Sequence, residues 1–168
     1  MVPSKHDMTS PENKREGEPS AIMFVDDEAG IRRSFAREMH DSRLEVQLAG
    51  GVEEAMALAE AKHYPVVVTD LHMPDGGGVR LIEQLRSLSP NTRYVVVTGA
   101  PELIPEAEAV TPHPTEVIQK PWNRDALADA IARALSAYRG QQVYAEQAQI
   151  ERESQRPSAP HSQPPEDD

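Results

Sequence analysis

Cysteine is absent from all 168 residues, so the chain can form neither a disulfide framework nor a thiolate site, and nothing in it calls for an oxidising compartment. Long apolar runs are missing too. No stretch approaches the length of a membrane span, and residues 1–20 contain no apolar core of the signal-peptide kind. Positive charge is in short supply: 17 Lys and Arg stand against 28 Asp and Glu, a formal net charge of −11. Such a chain repels phosphate backbones, which argues against unaided nucleic-acid binding and for protein partners. The expectation is a soluble cytoplasmic protein that contacts no nucleic acid and no membrane.

With 38% hydrophobic residues, a chain of this length can bury one core of ordinary size. Residues 1–20 are polar, carry Pro3, Pro11 and Pro19, and read as a disordered tail. Residues 156–168 hold four prolines, end on Glu166, Asp167 and Asp168, and read the same way. The expected organisation is a tail over 1–20, a folded domain over 21–140, and a 141–168 extension that is partly helical and then disordered.

Inside the folded part, short β-branched runs alternate with helix-period segments, the pattern of βα units around a parallel sheet buried on both faces. Strands are expected at 21–25, 44–49, 66–69, 94–97 and 116–119. Helices are expected at 30–40, with Ile31, Phe35 and Met39 on one face, at 52–63, and between the third and fourth strands, with Val79, Ile82, Leu85 and Leu88 on its apolar side. Pro101, Pro105, Pro112 and Pro114 leave room for only a short or irregular fourth helix, with Pro105 near its first turn. Asn123 can cap the last helix, which buries Leu127, Ile131, Leu135 and Tyr138, and Gly140 is its natural stop. Residues 141–155 have good helix formers but a thin apolar stripe, so that segment can extend the helix, form a second piece, or stay mobile.

Ligands of open parallel α/β sheets bind outside the carboxyl ends of the strands. Here the first strand ends in Asp26 and Asp27, the third in Asp70, the fourth in Thr98 and the fifth in Lys120, so one sheet brings all five to one rim. Three carboxylates together repel unless a cation or protons intervene, and hard oxygen ligands with open positions suit Mg²⁺. A lysine and a hydroxyl beside them match the needs of phosphoryl oxygens. Each residue also has a plainer explanation: Asp26 and Asp27 as helix caps, Thr98 as a turn hydroxyl, Lys120 as a solvated cation. The Gly76-Gly77-Gly78 run reads as a tight turn, because no Lys-Ser or Lys-Thr follows it. His72 and His113 have no partner at metal-ligand spacing.

The ordered set Val25-Asp26-Asp27-Glu28, Asp70-Leu71-His72-Met73-Pro74 with Gly77, Val97-Thr98-Gly99-Ala100 and Lys120-Pro121 resembles the receiver domains of two-component response regulators. Asp70 follows Asp27 by 43 residues, Thr98 follows Asp70 by 28, and Lys120 follows Thr98 by 22, in keeping with that family's spacing. The resemblance covers residues 21–139. It implies a flavodoxin-like doubly wound (βα)5 fold with strand order 2-1-3-4-5. It also implies that Asp70 accepts a phosphoryl group from a sensor histidine kinase or a histidine phosphotransfer protein. Asp26, Asp27, Asp70 and the backbone carbonyl of His72 would then hold Mg²⁺, with Thr98 and Lys120 meeting the phosphoryl oxygens. Pro121 is similar to a proline that follows a cis peptide. His72 and Ala100 occupy positions that influence phosphoryl lifetime in the family.

Two features depart from the family pattern: Val117 stands where an aromatic residue is usual, and the proline-rich segment before it lacks the common Gly-Ala pair. A rebuilt output face is the expectation. No helix-turn-helix unit follows residue 140, so the expected protein is a single-domain regulator signalling to an unknown protein target, not an enzyme. The alternatives are a phosphorelay intermediate, a receiver fragment of a longer regulator, a scaffolding pseudo-receiver, or a metal-dependent phosphatase. Against the last, the position two residues after the nucleophile, where acid/base chemistry needs an aspartate, is His72.

Overall fold

Five apolar runs form one parallel sheet, described here from a computed structural model covering residues 20–111, 113 and 115–156. In chain order the elements are β1 Ser20–Val25, α1 Ala29–Glu38, β2 Leu44–Ala49, α2 Val52–Ala61, β3 Val66–Thr69, α3 Gly77–Leu88, β4 Arg93–Thr98, a 3-10 turn Pro101–Leu103, α4 Ile104–Val110, β5 Glu116–Gln119 and α5 Arg124–Ser154. The strands run β2-β1-β3-β4-β5, the flavodoxin-like order that the sequence resemblance implied.

The strand alternation sorts side chains into two cores. Ile22, Phe24, Val66, Val68, Val95 and Val97 face α1 and α5, where Phe35, Leu127 and Ile131 are buried against them. Met23, Val25, Val67, Tyr94 and Val96 face α2, α3 and α4 and meet Val52, Leu81, Ile82 and Leu85. Both faces of the central strands are therefore dry, which is why they read as unbroken runs and not as alternating ones. On the first face Phe24 stacks on Phe35 with ring centroids 4.0 Å apart, and the Trp122 ring stands edge-on to both. Burial pushes the Tyr94 hydroxyl well above its ordinary pKa.

Three expectations need adjustment, and one holds. Ser20 is part of β1, paired with Leu44, and not of a tail. Leu88 is 44% exposed at the last residue of α3, where Leu81 takes its place in the core. The fourth helix is short, as expected, with Pro105 in its first turn, although Pro112 and Pro114 lie outside the described residues. Gly140 is not a stop: of the three courses left open for 141–155 the chain takes the first, and α5 continues through Gly140 to Ser154.

A glycine stop needs a left-handed backbone, and among the described residues only Gly76 and Gly77 have positive φ. Helix-interior glycine costs about 1 kcal/mol relative to alanine. The next residue supplies compensating contacts: Arg93 donates to Gln141 at 2.7 Å, and Gln141 donates to Asn91 at 3.2 Å. The tail segments 1–19 and 157–168 lie outside the described residues.

Candidate functional site

Parallel pairing delivers the predicted residues to one rim. Asp26 follows β1 and its amide continues the ladder by donating to the Ala49 carbonyl; Asp70 follows β3 and its amide donates to Val25. The Lys120 amide donates to the Thr98 carbonyl at 2.9 Å, which sets the end of β5 beside the end of β4. The Lys120–Pro121 peptide bond is cis, matching the family feature.

One lysine ties the rim together. Lys120 Nζ donates to Asp26 Oδ2 at 2.7 Å and to Asp70 Oδ2 at 2.9 Å. Asp26 is fully buried, Asp70 is 5% exposed and Asp27 is exposed. Burying two carboxylates is costly unless they are paired and hydrogen-bonded, and both conditions are met. Asp26 Oδ1 accepts the Glu28 amide at 2.9 Å, and Asp70 Oδ1 accepts the His72 amide at 3.1 Å. Burial works against the charge on Lys120, but hydrogen bonds and attraction from Asp26 and Asp70 outweigh it and hold the ammonium above its ordinary pKa.

Asp26, Asp27 and Asp70 each offer a carboxylate oxygen, and these atoms lie within 4.8 Å of one another. This all-oxygen set, open to solvent on the Asp27 side, fits a small hard cation that keeps several of its waters. An open cleft of about 330 Å³ covers the rim, with Asp27, Asp70, His72, Ala100 and Lys120 in its lining. Thr98 is placed differently. It is 1% exposed, its hydroxyl accepts the Ala100 amide at 2.9 Å, and among the described residues no hydrogen bond joins it to the aspartates.

The bond from Lys120 to Asp26 was not foreseen from the sequence, nor were Glu28 and Glu102 in the cleft lining. Glu102 follows Thr98 by four residues, and only the 3-10 turn at Pro101–Leu103 brings it back over the rim. Val117, in the position usually aromatic, is 37% exposed on β5.

Residues 22–132 match the family model of the response regulator receiver domain. The chain belongs to the response regulator receiver family. It is 33% identical over 113 residues to the transcriptional regulatory protein FixJ of Rhizobium meliloti, an overlap of 67% of this chain and 55% of FixJ. It is 32% identical over 115 residues to the acid tolerance regulatory protein ActR of the same organism, covering 68% of this chain and 59% of ActR. This receiver thus spans little more than half the length of those regulators. Among solved structures it resembles the chemotaxis protein CheY4 of Vibrio cholerae, with 28% identity, a TM-score of 0.64, and coverage of 70% of this chain and 99% of CheY4. It also resembles a CheY-like receiver domain protein of Methanospirillum hungatei, with 25% identity, a TM-score of 0.68, and coverage of 73% and 98%.

Receiver domains are signalling modules of two-component systems and typically hold Mg²⁺ at an acidic cluster, and this receiver has such a cluster. Among the described residues no helix is long and apolar enough to cross a membrane.

Proposed function

We propose that this receiver is switched by phosphorylation of Asp70 and signals through protein contacts, with a sensor histidine kinase or a histidine phosphotransfer protein as donor. The observation that carries this reading is Lys120 held between Asp26 and Asp70 at 2.7 and 2.9 Å, with Asp27 beside them. It is the arrangement a phosphoryl-transfer site needs: a nucleophilic carboxylate, a fixed cation, and oxygens for a metal.

In the proposed step an Asp70 carboxylate oxygen forms a bond to the phosphorus of the donor phosphohistidine. The phosphorus–nitrogen bond breaks, and the leaving imidazole takes a proton from solvent in the open cleft. Asp26, Asp27, Asp70 and the His72 carbonyl would hold Mg²⁺, which when bound would supply charge neutralisation for the phosphoryl oxygens. Lys120 exchanges its bond to Asp70 for one to a phosphoryl oxygen while keeping Asp26, which holds its ammonium in place. Thr98 donates its hydroxyl to another phosphoryl oxygen, a role left open by its bond to Ala100, in which the hydroxyl only accepts.

Adding about −1.5 to −2 charge at this rim draws the loops after β3 and β4 inward. Val117 in place of an aromatic residue leaves the surface of α4, β5 and α5 to carry the signal by a different repacking. His72 and Ala100, both in the cleft lining, are in position to govern how fast water reaches the acyl phosphate.

A second reading, the receiver part of a longer transcriptional regulator, is favoured by the overlap with only 55% of FixJ. The length of the encoded gene product separates the two.

Incubation with phosphoramidate and Mg²⁺ followed by intact mass tests the central step. Wild type is expected to gain one phosphoryl group only when Mg²⁺ is present, and Asp70→Asn none. No gain in wild type, or an equal gain in both proteins, rejects Asp70 as acceptor.

A further inference from the structure

Helix α2 starts without a cap of its own. Its N-cap residue is Gly51, which has no side chain to offer the first free amides. The cap arrives from 23 residues away: Asp75 Oδ2 accepts the Val52 amide at 2.6 Å. A Cβ on Gly51 would lie 2.8 Å from that same oxygen, so the glycine makes room for the carboxylate. The other oxygen, Asp75 Oδ1, is buried with no hydrogen-bond partner among the described residues. Such an orphan is costly, and it marks a carboxylate held by its clasp on α2 and not by full satisfaction.

Asp75 closes the loop that carries the site. Leu71 and Met73 are buried, at 2% and 6% exposure, and His72 between them turns out to the cleft with its amide on Asp70 Oδ1. Immediately after Asp75 come Gly76 and Gly77, with φ of 95° and 68°. Both positions require glycine, since the left-handed backbone disfavours a side chain and a Cβ on Gly77 would collide with the Leu71 carbonyl. Asp75 thus ties the end of the loop to two helices: its carboxylate holds the start of α2, and its carbonyl accepts Arg80 of α3 at 2.8 Å.

We propose that Asp75 is a positioning residue for the metal: by clasping the first turn of α2 it fixes the loop so that the His72 backbone faces the aspartates. The inference rests on the proposed metal role of Asp26, Asp27, Asp70 and the His72 carbonyl. It adds a mechanical link from the phosphorylation loop to α2, on the opposite side of the sheet from α5.

A double-mutant cycle tests it, using Asp75→Ala, Gly51→Ala and the pair, with Mg²⁺ affinity read by calorimetry and His72 amide exchange read in metal-free protein. Each single variant is expected to weaken Mg²⁺ binding about five- to tenfold, on the scale of one lost cap. In Asp75→Ala the second change should add less than about twofold, because the wedge then meets no carboxylate. Asp75→Asn, which keeps an acceptor oxygen and the fold, should bind Mg²⁺ within about twofold of wild type. Faster His72 exchange in Asp75→Ala without metal completes the expected result.

Unchanged Mg²⁺ affinity and His72 protection in Asp75→Ala, with only thermal stability reduced, would make Asp75 a plain helix cap and overturn the inference. Equal effects of Gly51→Ala in both backgrounds would overturn it as well. Wild type that binds no Mg²⁺ overturns the metal site itself and this inference with it, whereas normal wild-type binding with unchanged variants overturns this inference alone.

Discussion

The two ends of the sheet hold helices and loops in place by different physics. At the carboxyl end, Lys120 sits between buried Asp26 and Asp70, and an exposed Asp27 completes a cluster whose charges do not balance without a cation. At the amino end the contacts that fasten α5 carry little charge conflict. His63 Nε2 and the Tyr138 hydroxyl share a hydrogen bond at 2.9 Å, and Gln141 links Arg93 to Asn91. One end keeps excess negative charge that a cation can relieve; the other carries no such excess, and what it leaves unpaired are neutral or donor atoms, Arg93 Nε, the Tyr94 hydroxyl and Thr115 Oγ1, buried with no partner among the described residues. Changes at the carboxyl end should therefore move stability and phosphorylation together, and changes at the amino end should move stability alone.

The largest test is Lys120→Met. It leaves two buried carboxylates facing each other and should cost about 3–5 kcal/mol in urea unfolding at neutral pH, with phosphorylation lost. A loss below ~1 kcal/mol would show that Asp26 and Asp70 do not depend on the cation. Next in size is Mg²⁺ itself: at a hundredfold excess over its Kd it should stabilise the wild type by about 2.7 kcal/mol. That gain should vanish in the Asp26→Asn, Asp27→Asn double variant, which thermal melts with and without metal can check.

At the amino end, Gln141→Ala removes two hydrogen bonds and should cost about 1 kcal/mol while phosphoramidate labelling proceeds at the wild-type rate. A slowed rate would break the separation between the two ends. The smallest effect is a gain. A Cβ on Gly140 meets nothing within 4 Å, so Gly140→Ala should add roughly 0.5–1 kcal/mol and leave labelling unchanged.

The same contrast explains what the sequence could reveal. The strands were legible because burial on both faces forces β-branched runs, and the rim residues because a parallel sheet puts each strand's carboxyl end on one side. The order of those strands and the roles at the rim came from family resemblance. Local rules failed where distant contacts decide. Gly140 reads as a stop until Arg93 and Asn91 are seen to grip Gln141, and Leu88 reads as core until the end of α3 is seen to leave it exposed. The Asp75 cap on α2 has no local signature at all, since its donor lies 23 residues back in the chain. Lys120 was placed at the rim by its position after the fifth strand, but its bond to Asp26 depends on how far β5 stands from β1 across the sheet.

The most direct test of the phosphoacceptor is its location. Labelling with phosphoramidate and Mg²⁺, borohydride reduction of the acyl phosphate, and peptide mass mapping should convert one residue, Asp70, to homoserine, and only in samples that contained the metal. Conversion at another residue, or modification that does not require Mg²⁺, would contradict the central claim.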